Sequence, residues 1–118
     1  MEMFNFEKLL VYQKALNYVD FVYTVTDKFP KDEIFGLTAQ FKRASYSIAL
    51  NLGEGSGGTT NEFKNFIRIS FRSLNECVVC TTIASRRKFI SNEQEEDSRA
   101  MLVEMAKMLS GIRNSLTK

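Results

Sequence analysis

The sequence predicts an all-α fold, an antiparallel up-down-up-down four-helix bundle, on three observations. Four successive runs repeat apolar residues at steps of three and four, the period of a helix facing a core. One proline and six glycines interrupt 118 residues, and four of those glycines cluster between positions 53 and 58. Two capping signatures, Thr59-x-x-Glu62 and Ser91-x-x-Gln94, announce helix starts in the second half. The β-branched residues fall inside helical periodicity, so no strand is expected. Short connectors make sequential helices antiparallel neighbours within a single domain spanning 1–118.

The first run extends from Glu7 to Lys28, with Asn5 as its expected N-cap. Val11, Tyr12, Ala15, Leu16, Val19, Val22, Tyr23 and Thr26 fall within about 140° of one another on a helical wheel. Gln13, Asn17, Asp20 and Asp27 lie opposite. Phe29-Pro30 stops the run, because proline disfavours helix in the residue before it. Lys31 to Gly36 is the connector.

The second run, Leu37 to Gly58, organises the rest. Phe41, Ala44, Ile48 and Leu52 form an apolar row, and Gln40, Arg43, Ser47, Asn51 and Glu54 form a polar seam beside it at the same spacing. An isolated surface helix needs one apolar stripe only. The seam is therefore expected at a helix–helix boundary, and the glycines at 53, 55, 57 and 58 are expected to end the helix.

The third run begins at the Thr59 capping box and buries Phe63, Phe66, Ile67, Ser70, Phe71, Leu74, Cys77, Val78 and Thr81 on one face. From Val78 to Ala84 it reads VVCTTIA, with no charge anywhere round the helix. Val79, Cys80 and Ile83 then project where water is expected, and an apolar girdle is normally buried all round. A small bundle has too little protein to cover it, which points to self-association. The fourth run opens at Ser91. Glu93, Glu95, Glu96 and Asp97 suit the positive end of its macrodipole. Met101, Leu102, Met105, Met108, Leu109, Ile112 and Leu116 form its stripe, and Lys107, Arg113 and Lys118 lie toward the cation-favouring end.

Composition removes several functions. Charged residues are 25% of the chain and apolar ones 44%, as in soluble globular proteins. No stretch reaches the roughly 18–20 consecutive apolar residues of a membrane span. The start, MEMFNFEKLL, lacks a secretory layout, so a cytoplasmic location is expected. There is no histidine, which removes the commonest general base and metal ligand together. Cys77 and Cys80 lie mid-helix without a second ligand pair and read as reduced core thiols. Gly53 to Gly58 follows a helix and lacks the Lys-Ser/Thr of a Walker loop.

The seam admits a catalytic reading, with Glu54 or Glu76 as base, Arg43 as electrostatic partner and Ser47 or Ser73 as nucleophile. The structural reading is stronger. Ser73 and Glu76 sit at the margin of the third run's apolar face. An Arg43–Glu76 or Arg43–Glu54 pair, with Asn51 and the serines completing the hydrogen bonds, would fix helix register. No catalytic residue, metal, cofactor, small-molecule substrate or membrane contact is expected.

Charge supplies the functional candidate. Residues 59–90 hold Lys64, Arg68, Arg72, Arg86, Arg87 and Lys88 against Glu62 and Glu76, a surplus in a chain whose net charge is only +2. Lys64, Arg68, Arg72 and Arg86 share one helix face over roughly 30 Å at the helical rise, and Arg87 extends the group. No aromatic residue interrupts the row, so contacts to phosphate are expected rather than base stacking.

The segment FPKDEIFGLTAQFKRASYSIALNLGEGSGGTTNEFKNFIRISFRSLNEC resembles the four-helix-bundle family encoded within intervening sequences of bacterial large-subunit ribosomal RNA genes. The family pattern falls on Phe29, Pro30, Glu33, Gly36, Leu37, Gln40, Arg43, Ala44, Ser47, Ile48, Asn51, Glu54, Gly55, Ser73 and Glu76. The resemblance implies an antiparallel bundle assembling into a homopentameric ring. It also implies a distant relationship to the accessory subunit of diversity-generating retroelements, a basic pentamer that binds a reverse transcriptase and nucleic acid. This chain is less basic than that subunit. The expectation is a non-enzymatic oligomer that binds structured RNA or a ribonucleoprotein through the third helix. The alternative is a scaffold engaging a polymerase-like protein without touching nucleic acid.

Overall fold

A computed structural model describes residues 1–117. Four helices account for most of them: α1 Leu10–Thr26, α2 Leu37–Ser56, α3 Thr60–Arg86 and α4 Asn92–Thr117, with 3₁₀ turns at Asn5–Lys8 and Lys31–Glu33 and, among the described residues, no strand. Helices adjacent in sequence pack against each other, α4 closes on α1, and α1 and α3 lie diagonally across the core. This is the expected up-down-up-down arrangement. Lys118, expected at the cationic end of the last helix, lies outside the described residues.

The core draws on all four stripes: Val11, Ala15, Tyr18 and Val22 from α1, Phe41, Ala44, Ile48 and Leu52 from α2, Ile67, Leu74, Cys77 and Ala84 from α3, Leu102, Met105 and Leu109 from α4. A polar string runs through it. The Tyr18 hydroxyl and the Ser98 hydroxyl are 2.8 Å apart, Ser98 and Thr81 are also 2.8 Å apart, and Thr81 donates to the Cys77 carbonyl. All three side chains are fully buried, so each hydroxyl needs the others to replace lost water. The string fixes the relative heights of α1, α3 and α4.

Both capping boxes form. Thr59 Oγ1 accepts from the Glu62 amide while the Glu62 carboxylate accepts from the Thr59 amide, and Ser91 and Gln94 do the same at α4. Those backbone and hydroxyl hydrogen bonds hold the Glu62 carboxyl below its ordinary pKa.

Three local expectations are corrected. Asn5 does not cap α1; it opens a 3₁₀ turn, and Leu9 is extended (φ −67°, ψ 127°) before α1 starts at Leu10. The break lets Phe6 turn back edge-on to Tyr12, with ring centroids 5.2 Å apart. Secondly, the glycines do not end α2 at position 53. The helix continues through Gly53, Glu54 and Gly55 to Ser56, because those glycines admit neighbours. A Cβ on buried Gly55 would stand 2.5 Å from the Phe66 Cβ, and one on Gly53 would stand 3.3 Å from the Phe6 ring. Gly57 and Gly58 alone make the turn into α3. Thirdly, the apolar arc assigned to α1 is rotated: Tyr18 and Val25 belong to the core, whereas Leu16 and Tyr23, at the arc's edge, are 42% and 45% exposed.

Candidate nucleic-acid interface

α2 and α3 are the most closely packed pair, and small polar residues allow it. Ser70 Oγ donates to the Ile48 carbonyl across the interface at 3.1 Å. Ser73 Oγ donates to Ser47 Oγ at 2.8 Å, and Asn51 Nδ2 donates to both the Ser47 hydroxyl and the Ser47 carbonyl. The inner half of the seam, Ser47, Asn51 and Ser73, thus lies between the two helices.

Its outer half does not join. Gln40, Arg43, Glu54 and Glu76 are exposed, and Arg43 Nη2 donates only to Gln40 Oε1, at 3.3 Å. The expected Arg43–Glu76 or Arg43–Glu54 pair is not formed within the chain. Arg43 and Glu54 project from the outward side of α2, beyond the serines that bring the backbones together. Among the described residues the ion pairs are Lys14–Glu104 at 3.0 Å and Arg99–Glu95 at 3.3 Å, both reaching α4. Ser85 of α3 donates to the Glu95 carboxylate; that hydrogen bond, with Arg99 beside it, holds Glu95 below its ordinary pKa.

The basic row stands along the outside of α3. Lys64 is half-buried, and Arg68, Arg72, Arg86 and Arg87 are exposed. None of the five touches a carboxylate among the described residues. Arg68 is steadied by Asn65, whose Oδ1 accepts from Nη2 at 2.8 Å. Arg86 ends α3, Arg87 is its C-cap, and Lys88 follows with a left-handed backbone (φ 63°). These last three bases suit the negative end of the helix dipole without any ligand. Lys64, Arg68 and Arg72 have no such role.

Val79 and Ile83, 56% and 43% exposed, interrupt the row on the same face. With Leu37, Gln40, Arg72, Asn75, Glu76 and Cys80 they line a groove of about 560 Å³ between α2 and α3. Cys80 was expected to project with them; instead it is 7% exposed and packs inward against the core. Burial pushes its thiol up to about 11, with the Glu76 charge adding to the effect. Burial also raises the Cys77 thiol, with Cys80 and then Glu76 adding to it. Neither sulfur is poised as a thiolate nucleophile or ligand. Sequence reasoning missed the matching exposure of Leu16 and Tyr23 on α1. The only signal available was the width of that helix's apolar arc.

The family model for the 23S rRNA-intervening sequence protein matches residues 7–111. The chain belongs to that family. No curated protein matches it. Among solved structures, the intervening-sequence chain is similar to a Bacteroides thetaiotaomicron VPI-5482 protein described as of unknown function and from the S23 ribosomal protein family. The two share 22% identity over 89% of this chain and 96% of the other, with a TM-score of 0.82, a likeness of fold. The intervening-sequence family pattern quoted above runs from the α1–α2 connector through α2 into α3, and only part of it lies between those two helices. Its serines, asparagine and Gly55 are the residues that bring those two helices together.

Proposed function

We propose that the protein is a non-enzymatic, self-associating bundle that binds structured RNA or a ribonucleoprotein through the basic face of α3. The observation that carries this reading is the row itself: Lys64, Arg68, Arg72, Arg86 and Arg87 along α3 and its C-cap, with no carboxylate partner among the described residues. Cations recur at every fourth position along the outside of α3, at 64, 68 and 72. Uncompensated ones spaced along a rod fit a phosphate backbone, and the family is described by its ribosomal RNA context. Self-association is supported by the exposure of Val79 and Ile83.

The test is an RNA-retention measurement on a structured RNA hairpin with Arg68→Glu and Arg72→Glu combined. Binding should be lost with oligomer size unchanged. The parent's affinity should fall with rising salt, the slope shrinking by about one for each phosphate contact removed. Equal retention by parent and variant, or affinity indifferent to salt, would overturn the reading. The mixed lining of the α2–α3 groove favours a second reading, a scaffold that seats a polymerase-like protein without nucleic acid. In that case the charge-reversed protein should still capture its partner after nuclease treatment.

A further inference from the structure

Phe35, on the connector between α1 and α2, is the most exposed aromatic side chain among the described residues, at 95%, and Ile34 beside it is 57% exposed. The backbone that carries them is pinned. The Ile34 amide donates to the Lys31 carbonyl and the Gly36 amide to the Glu33 carbonyl. The Glu33 carboxylate accepts from the Leu37 amide at 3.1 Å, at the start of α2. Gly36 leaves room for that carboxylate, since a Cβ there would stand 3.0 Å from its Oε1. The ring is thus set on a fixed turn, which spares a ligand the cost of ordering it.

Cations stand at the same corner of the bundle. Leu37, at the start of α2, and Ile83, near the end of α3, line one groove. The Phe29 and Phe89 rings, 5.3 Å apart, join the connectors that follow α1 and α3. From that junction α2 leads back through Gly36 to Phe35, and α3 leads on to Arg86, Arg87 and Lys88, all exposed. The acids that open α4, Glu93, Glu96 and Asp97, belong to the helix diagonal to α2. Asp27 and Asp32 are matched by Lys28 and Lys31 on the same connector.

Lys88 holds its place against backbone preference. Its amide donates to the Ser85 carbonyl and the Phe89 amide to the Ala84 carbonyl, the Schellman ending of a helix. At φ 63° that position ordinarily takes glycine. The helix dipole accounts for a cation here, but not for lysine at a left-handed residue. A strained backbone under an exposed charge is the pattern of a binding site.

We infer that this corner stacks an unpaired base of the bound RNA on the Phe35 ring, with the adjoining phosphates held by Arg87 and Lys88. The inference rests on the RNA reading and says what feature of the RNA is recognised. The α3 row meets phosphates only, and phosphates do not distinguish a hairpin from a plain duplex. A base reaches Phe35 only where it is unpaired, so a loop, bulge or strand end is selected. The aromatic group that the row lacks is thus supplied by a different element. A bilayer is the poorer occupant, because two apolar side chains beside Asp32 and Glu33 bury too little to hold a bundle on lipid.

The chain has no tryptophan, so Phe35→Trp places a single fluorophore at the site. The probes are an RNA hairpin with an unpaired loop and a blunt duplex of the same stem, compared at one salt concentration. The hairpin should bind Phe35→Trp at parental affinity and quench its emission, and the duplex should not quench it. Phe35→Ala should weaken hairpin binding by about 5- to 150-fold, the loss of one stacked base, and leave duplex binding unchanged. Lys88→Gly should raise Tm and still weaken hairpin binding several-fold. Hairpin binding left at parental strength by both Phe35→Ala and Lys88→Gly, or equal quenching by hairpin and duplex, overturns the stacking inference and leaves the RNA reading standing. A parent that retains neither RNA overturns both. Two other results also overturn the inference. One is a blue shift of the tryptophan on phosphatidylcholine–phosphatidylserine vesicles without quenching by the hairpin. The other is a smaller species for Phe35→Ala on a sizing column, which would make the ring a contact between copies. Each variant is first checked for a parental helical signal, and the quenching comparison decides the matter should Phe35→Ala fail to fold.

Discussion

Gly55→Ala should destabilise this protein, against the usual sign of a glycine-to-alanine change inside a helix. Alanine is favoured over glycine in a helix interior by about 1 kcal/mol. At position 55 the added Cβ would stand 2.5 Å from Phe66 Cβ and 3.0 Å from Phe66 Cγ, and neither is the far end of a flexible chain. Relief requires α2 and α3 to part, which loosens the Ser73–Ser47 and Ser70–Ile48 hydrogen bonds further along the same interface. Overpacking of this kind costs typically about 1–3 kcal/mol. Adding strained polar contacts, the net loss should be about 1–3 kcal/mol after the propensity gain. That corresponds to a fall in Tm of roughly 4–12 °C for a chain of this size. Gly111 is the control: it lies inside α4 with nothing within 4 Å of a built Cβ, so Gly111→Ala should raise stability. Urea unfolding of parent and both variants, followed by far-ultraviolet circular dichroism, makes the comparison. Stabilisation of both variants alike would refute the account of Gly55 as the closest approach of two helices.

Ser98→Ala strands the Tyr18 hydroxyl in the core and should cost about 1–3 kcal/mol; combining it with Tyr18→Phe should cost less than the sum of the two. Stability should fall as pH rises past the ordinary thiol value of 9.0, because the unfolded chain then releases protons that folded Cys80 holds to about 11. Urea titrations at neutral and alkaline pH check this, and replacing both cysteines with alanine should flatten the decline. The paired arginine reversals at 68 and 72 should remove RNA binding without changing assembly. Ile83→Asp should do the reverse, giving smaller species in light scattering with RNA retention kept.

What was legible in the sequence was whatever local chemistry determines. The two capping boxes are satisfied within four residues, and both form as read. Periodicity found the core stripes because burying them is the dominant local demand on each helix. It mis-centred α1, where Tyr18 owes its place to Ser98, a residue 80 positions away. It misjudged Gly53 and Gly55 because glycine serves two opposed purposes, ending a helix and admitting a neighbour. Only the position of Phe66 decides between them. The seam was readable as a boundary, but wheel angles could not say which of its members face inward. Ser47 and Asn51 do; Arg43 and Glu54 stay outside, since the close backbone approach leaves no room for a long charged pair.

The lengths of the helices give α3 room for the two tasks proposed for it. It has 27 residues against 17 in α1, an excess equivalent to about 15 Å at the helical rise. The overhang is at its N-terminal end, where the chain before α1 is a 3₁₀ turn and where Gly55 seats Phe66 to brace the helix. Lys64 and Arg68 are on that overhang. The exposed valine and isoleucine are further up, level with the middle of α1. On the proposed reading one face would both bind another copy and attract phosphate, and cations covered at a contact are lost to a ligand. Separating the two along the helix axis removes it. A shortened α3 ending level with α1 would keep the apolar pair and lose the cations that this reading assigns to RNA.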